Sequence, residues 1–237
     1  MENRFSRQSL IISQEATELL ATKKVALFGV GGVGSYAAEA LARCGIGTIE
    51  LIDSDVVSLS NINRQLCALT STVGKAKVSV VAERLRDINP DIVVIERKEF
   101  FLPENADSFD FSSYDFVIDA IDTVSAKIEI AVRCTSLCIP MISAMGTGNK
   151  LDPTALKVCD LAKTSGCPLA RVMRRELKQR GIVHLPVVYS EELPIKPLYD
   201  EGEQDPHKKS VPGSISFVPS VAGLIAASEA VKRLISL

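Results

Sequence analysis

Residues 25–53 constrain this chain more than any other stretch. A short apolar run, 25–30, leads into Gly29-Val30-Gly31-Gly32-Val33-Gly34. Residues 35–44 carry a helical pattern, and a second apolar run, 48–52, ends in Asp53. The order is strand, glycine turn, helix, strand, acid, with the acid about 20 residues after the glycines, as a dinucleotide-type βαβ unit requires. Each part has a physical reason. One glycine lets the chain leave the strand in a tight turn without a Cβ clash. Another lets a phosphate approach the backbone, and the last lets helix and strand pack closely. The helix start offers unpaired N–H groups and a partial positive charge to an anion. Asp53, at the carboxyl end of its strand, can accept from ribose hydroxyls. Gly29, Gly31, Gly32, Gly34 and Asp53 are therefore candidate nucleotide-binding residues. The plain alternative is a glycine turn with no ligand; the strand, helix and acid around it argue against that.

The glycine pattern serves NAD and ATP alike, and the residues after it separate the two. Asp53-Ser54-Asp55 leads to Leu59-Ser60-Asn61-Ile62-Asn63-Arg64-Gln65, then to Gly74-Lys75-Ala76-Lys77, and later to Asp119-Ala120-Ile121-Asp122. Hydride transfer has no need of two cations and several carboxylates or amides beside its nucleotide. Cleavage of a triphosphate does: Arg and Lys neutralise phosphate charge, and a carboxylate holds a magnesium ion that bridges the phosphates. An NAD oxidoreductase leaves Arg64, Lys77 and Asp122 unexplained, and so does an inactive module that merely keeps the fold.

On these residues the chain resembles the ubiquitin-activating superfamily of ATP-dependent adenylyltransferases, which includes the activating enzymes of molybdopterin and thiamine sulfur carriers. The shared pieces are Arg4-Phe5-Ser6-Arg7-Gln8, the glycine turn, residues 51–65, the Gly74–Lys77 stretch, Ile88-Asn89-Pro90 and the Asp119–Asp122 stretch. The resemblance implies ATP and Mg2+ as cofactors, with a monovalent cation as a further candidate. It implies a homodimer and transfer of AMP onto a carboxylate. It also implies roles: Arg64, Lys77 and Arg7 around the β- and γ-phosphates, Asp122 on magnesium, Asn61 in support and Asp53 on the ribose. Arg7 would reach the triphosphate from the partner protomer; taken alone it reads as a solvated surface arginine. Asp55 stays open between positioning water or metal and capping a turn. Asp119 reads equally as a strand-end residue without chemistry.

The rest of the chain alternates strand and helix as far as about residue 144. A helix is predicted near 14–21. Val78, Val81, Leu85 and Ile88 set helical spacing over 75–88, stopped by Asn89-Pro90. Strands are predicted at 91–96, 115–122 and 140–144, one helical turn at 103–108, and a helix at 123–138. The resulting expectation is an α/β, Rossmann-like, doubly wound and mostly parallel sheet over residues 1–150, including the N-terminal arm. A C-terminal extension over 151–237 belongs to the same structural unit. It is expected to hold strands at 156–161, 187–190 and 214–218, helices at 168–180 and 222–235, and a mobile loop over 191–213.

The 46% apolar and 24% charged residues are those of an ordinary globular protein, and a net charge of −2 excludes general attraction to nucleic acid. No apolar run reaches the roughly 20 residues of a membrane span. The six cysteines form no C-x-x-C pair, although Cys134 and Cys138 would share one face of the predicted helix. They read as free thiols, and with no secretory signal they fit a reducing cytoplasm. Cys167, at a helix start, invites a nucleophilic role, but the chemistry implied above needs no protein nucleophile.

Two substrate classes compete. The sulfur-carrier activators adenylate the C-terminal glycine of a small ubiquitin-like protein, and they usually carry two C-x-x-C pairs, absent here. The tRNA threonylcarbamoyladenosine dehydratases activate a carboxylate on adenosine 37 of tRNA. The chain is more similar to these, through Asp152-Pro153-Thr154, Asp160–Thr164, Pro168-Leu169 and residues 213–220. That family implies tRNA as partner and admits a sulfur-relay protein. The segment 168–180 gives separate support. Arg171, Arg174, Arg175, Lys178 and Arg180 are five cations against the single acid Glu176, and by helical spacing Arg171, Arg174, Arg175 and Lys178 share one broad face, a local basic patch suited to phosphate backbone. A solvated helix face or a dimer contact is the competing reading.

Overall fold

The apolar runs become strands in one sheet of the computed structural model, which describes residues 3–198 and 212–236. These are β1 (Lys24–Phe28), β2 (Thr48–Ile52), β3 (Val93–Arg97), β4 (Phe116–Asp119), β5 (Met141–Ala144), β6 (Leu156–Asp160) and β7 (Pro186–Ser190), in the order β3-β2-β1-β4-β5-β7-β6. All neighbours are parallel except β6, which runs antiparallel to β7 on the far edge. β1, β2, β4 and β5 are buried on both faces, hence their mostly apolar sequences; the buried Glu50 within β2 is paired with Lys24 and Arg97. The order reverses between β1 and β4. The crevice outside the carboxyl ends of those strands is where an open α/β sheet takes its ligand.

The helices are α1 (Ser6–Ile12), α2 (Gln14–Leu20), α3 (Gly34–Arg43), α4 (Lys77–Ile88), α5 (Val124–Ser136), α6 (Pro168–Gln179) and α7 (Phe217–Leu234). One core layer joins α3, α4 and α7 to the sheet; the other joins α5, α6 and a cluster of Phe28, Phe101, Phe109 and Phe111. The extension therefore continues the sheet with β7 and β6 and returns to the first core through α7.

α3 and α7 meet through small residues: Ala37, Ala38 and Ala42 face Ala222, Ala226 and Ala230 in the same core. Gly223 marks the closest approach, since a Cβ there would lie 2.2 Å from the Val33 carbonyl oxygen. At the start of α7, Pro219 covers Gly32, whose Cβ would stand 3.1 Å away.

Some sequence expectations are corrected. Residues 214–216 form no strand; α7 begins at Phe217 and absorbs the β-prone Phe217-Val218. Val218 is buried in the α3 layer, and Pro219 is tolerated because it lies in the first helical turn, where its missing N–H costs no bond. α1 is an addition to the expected elements. It buries none of its seven residues fully, so it carries little periodic signal. Cys138 does not share a helical face with Cys134: α5 ends at Ser136, and Cys138 takes a positive φ of 55° and is exposed, while Cys134 is buried. Of the expected mobile loop, residues 191–198 have no regular structure, and 199–211 lie outside the described residues.

Gly223→Ala is expected to lower stability by about 1–3 kcal/mol, the cost of overpacking, because its Cβ would meet backbone. Equilibrium urea unfolding monitored by far-UV circular dichroism checks this; an unchanged midpoint would refute the close α3–α7 approach.

Candidate active site

The glycine turn lies between β1 and α3. Gly29 has φ +89°, and a Cβ on it would sit 2.7 Å from Ala120 O at the end of β4. Gly34 opens α3, and a Cβ there would fall 1.8 Å from Gly29 O. These two glycines let the turn fold onto β4 and bring the helix start against the strand. Gly31 and Gly32 line the cleft beyond, and a Cβ on Gly31 would find nothing nearer than the Gln65 amide at 3.8 Å. The space against Gly31 is thus open to a ligand. The N–H groups of Gly31, Gly32 and Val33 have no acceptor among the described residues. Asp53 braces the turn from β2: one carboxylate oxygen accepts from Val30 N–H at 2.7 Å and the other from Asp55 N–H at 2.9 Å. Its remaining lone pairs are available to hydroxyl groups.

The cations come from the crossover between β2 and α4. Residues 55–57 pair back onto 74–77, with Val57 N–H to Lys75 O and Gly74 N–H to Val57 O both at 2.8 Å, and Lys77 N–H to Asp55 O at 3.0 Å. This closure brings Lys77, the first residue of α4, beside Asp55, and their side chains form an ion pair at 2.7 Å. Lys77 is only 5% exposed, so its amine is aimed rather than free to roam. Asn61 is buried and accepts from Ser58 N–H at 3.1 Å, shaping the turn that carries Arg64. Arg64 donates to Ser60 O and to Asn63 Oδ1, both at 2.9 Å. Asn63 in turn donates to Ser214 O at 2.9 Å, tying the crossover to the lead-in of α7.

Across the switch point β4 ends at Asp119, and Asp122 stands exposed on the cleft wall. Asp119 is fully buried and paired with Lys127 at 2.9 Å, so it does belong to the interior, although with a specific partner. Met145, Gly146, Thr147 and Gly148, following the neighbouring strand β5, continue the cleft lining, with Leu169 at the start of α6. The whole is a cleft of about 500 Å³, within the usual range for small-molecule sites. Asp53, Asp55, Asn61, Arg64, Lys77 and Asp122 all line it, with Gly29, Gly31 and Gly32.

Arg7 does not line its own cleft. α1 is docked at the other end of α3, where Phe5 packs over Gly45 and Gln8 donates to Cys44 O at 2.9 Å. At 1.5 Å per residue the ten-residue α3 puts about 15 Å between that end and the glycine turn.

The basic helix is partly corrected. Ala170, Met173 and Leu177 bury its inner face, and Arg171, Arg175, Lys178 and Arg180 are exposed. Arg174 turns inward: its Nη1 donates to Thr164 O at 2.8 Å, to Leu161 O at 3.3 Å and to the Thr164 hydroxyl. It pins the turn before α6 and does not complete a four-cation outer face. Arg175 and Arg180 both bond Glu176 and hold its carboxyl below the ordinary range.

Sequence reasoning passed over Lys127 and the Met145–Gly148 wall. The signal for Lys127 was its place on the apolar stripe of α5 with Ile130, Ala131 and Cys134. The wall carried none, because strand-to-loop residues show no period. The thiols stay out of the cleft chemistry. Cys167 is buried in the second core layer; burial pushes the Cys67 thiol up to about 11 and that of Cys134 up to about 12. Among the described residues no three His, Cys, Asp or Glu side chains gather into a metal cage. Magnesium, which is commonly held by one or two carboxylates plus phosphates, fits the exposed Asp122.

The chain is similar over nearly its whole length to known proteins. It is 44% identical over 243 aligned residues to the tRNA threonylcarbamoyladenosine dehydratase of Bacillus subtilis (strain 168), covering 99% of this chain and 96% of that protein. The enzyme of the same description from Escherichia coli (strain K12) is 38% identical, covering 98% and 94%. The solved structure of E. coli TcdA, a tRNA N6-threonylcarbamoyladenosine dehydratase, matches with a TM-score of 0.89, both with AMP at 38% identity and with ATP at 37%, over 98% of this chain and 94% of that one. The profile of the ThiF family runs from residue 5 to residue 237, taking in the arm, the cleft and the closing helix alike, and the chain therefore belongs to the ThiF family.

Proposed function

We propose that this chain catalyses the ATP-dependent dehydration, by cyclisation, of N6-threonylcarbamoyladenosine at position 37 of tRNA. The observation that carries it is the cleft at the switch point, with Arg64 and Lys77 beside the open glycine turn and Asp122 across from them, in a chain alike end to end to enzymes of that description. A free carboxylate is a poor electrophile, so the cleft must first improve its leaving group. A substrate carboxylate oxygen bonds to the α-phosphorus of ATP as the bond to pyrophosphate breaks. Attack on the resulting acyl adenylate by another group of the same side chain expels AMP, and one proton leaves with it; the net loss is one water. Arg64 and Lys77 stabilise the charge that gathers on departing pyrophosphate. Asp53 orients the ribose, and Asn61 holds the turn that aims Arg64. Asp122 holds magnesium, which when bound neutralises phosphate charge.

The substrate nucleoside enters over Leu169, where α6 meets the cleft, and the exposed Arg171, Arg175, Lys178 and Arg180 receive the tRNA backbone. The protein acts as a homodimer in the cytoplasm, with Arg7 of one protomer completing the site of the other. What supports the dimer is the placement of α1 far from its own cleft and the exposure of Leu10 (86%) and Ile11 (85%) on that helix. The alternative, activation of a small ubiquitin-like sulfur carrier, is weaker: adenylyltransferase and sulfurtransferase relatives align over about 60% of this chain, and no C-x-x-C pair is present.

Incubation with ATP, magnesium and tRNA bearing the modified adenosine, followed by mass spectrometry of the nucleosides, is expected to show ATP-dependent loss of one water. Pyrophosphate exchange that appears only with a ubiquitin-like protein would transfer the chain to the alternative. Asp122→Ala is expected to abolish adenylation while ATP still binds weakly; full turnover would remove Asp122 from the metal role. Neutralising Arg171, Arg175 and Lys178 together is expected to raise KM for tRNA and to flatten its salt dependence, by roughly 0.7–0.9 logarithmic units for each phosphate no longer neutralised. An unchanged slope would return α6 to a structural face. Mixing equal amounts of Arg7→Ala and Asp122→Ala protomers is expected to restore up to about a quarter of wild-type activity, since half the dimers then hold one intact site. If subunits exchange and no activity returns, Arg7 acts elsewhere.

A further inference from the structure

Lys127 takes part in none of the steps above, yet it lies fully buried beneath them (0% exposed). It is the fourth residue of α5, and its side chain runs back toward the helix start, where the chain arrives from Asp122. An ammonium group has three N–H donors, and three oxygens receive them: Ile121 O at 3.1 Å, Ala144 O at 2.9 Å and Asp119 Oδ2 at 2.9 Å. Asp119 is closed as well. Its Oδ2 also accepts from the Ser143 hydroxyl at 2.5 Å, and its Oδ1 accepts from Ile121 N–H at 3.3 Å.

The two carbonyls matter through their covalent neighbours. Ile121 O belongs to the peptide unit whose nitrogen is that of Asp122. Ala144 O belongs to the peptide unit that begins Met145, whose N–H is held by Val188 O at 2.8 Å. One ammonium group therefore fastens the strand end that leads to the acid to the adjacent strand end that leads to the Met145–Gly148 wall. Stability alone is a poor reason for such a pair, because burying two charges costs desolvation that an apolar replacement of similar volume avoids.

We propose that Lys127 is a positioning residue, which through the Ile121–Asp122 peptide holds the Asp122 carboxylate at a set place relative to the Met145–Gly148 wall. This rests on the reading of Asp122 as the acid that holds magnesium. Lys127→Met alone would strand the Asp119 charge and endanger folding, so the test uses the double variant Asp119→Asn/Lys127→Met, which removes both charges, and the single variant Lys127→Arg, which keeps the pair and displaces the donors. The readout is the affinity of the enzyme–ATP complex for Mn2+, measured by electron paramagnetic resonance, beside ATP affinity without metal and the melting temperature. In whichever variant folds, Mn2+ is expected to bind at least about tenfold more weakly, the loss typical when an outer partner of a metal ligand is removed. Metal-free ATP affinity is expected to hold. Wild-type Mn2+ affinity in a folded variant overturns the proposal. Asp122→Asn separates the two failures: if it leaves Mn2+ affinity unchanged, the metal role of Asp122 falls first; if it weakens Mn2+ and the Lys127 variants do not, only the positioning role falls.

Discussion

Everything in this protein hangs on how closely the backbone of residues 29–34 can fold against its neighbours. A Cβ at Gly34 would lie 1.8 Å from Gly29 O, and one at Gly29 would lie 2.7 Å from Ala120 O. No side chain other than hydrogen fits either place. Because both are glycine, α3 starts directly at the carboxyl end of β1, and its free N–H groups face the switch point. The same closeness recurs one layer out, where Gly223 lets α7 lie against Val33 and Pro219 roof Gly32. The ligand space over Gly31 is what remains open once these surfaces have met.

Around that space the charges are placed by unequal means. Asp53 is set by a strand end, and Lys77 by a helix start. Arg64 depends on an irregular turn that Asn61 and Asn63 brace. The pairing of 55–57 with 74–77 matters most, because it turns a separation of 22 residues into the 2.7 Å ion pair of Lys77 and Asp55. A lysine held this way has already lost most of its rotamer freedom. Under the proposed function, its cost on meeting a triphosphate is reduced accordingly. On the far side, the buried pair of Asp119 and Lys127 gives the β4 and β5 ends a common anchor.

Much of the fold was legible. Parallel strands buried on both faces write continuous apolar runs, and β1, β2, β4 and β5 lie within a few residues of where that rule alone puts them. The positions of Asp53 and Asp122, just past the carboxyl ends of β2 and β4, were legible for the same reason, since topology ties them to a fixed end of the sheet; the roles assigned to them and to Lys77 came from the family resemblance. What misled was local preference without packing. Ser214-Ile215-Ser216-Phe217-Val218 has the composition of a strand, yet Val218 is more stable buried against the α3 layer than on a sheet edge that β6 already occupies. Arg174 has the spacing of an outward cation, yet the carbonyls of Leu161 and Thr164 draw it inward. Cys138 has the spacing of a helical neighbour of Cys134, yet the helix ends before it.

By itself the amino-acid sequence determined the βαβ unit, the order of elements, the placement of an acid after β2 and after β4, and the concentration of cations over 168–180. These are periodic or sequence-local properties, set by steric and hydrogen-bonding rules that act over one or two turns. The tertiary structure alone decided which cations face the cleft, that Arg7 stands about one helix length from its own site, and that a lysine on an apolar stripe binds two strand ends together. Those outcomes depend on which surfaces meet. That choice is made by closure of loops and packing of layers, over separations where sequence spacing no longer measures distance.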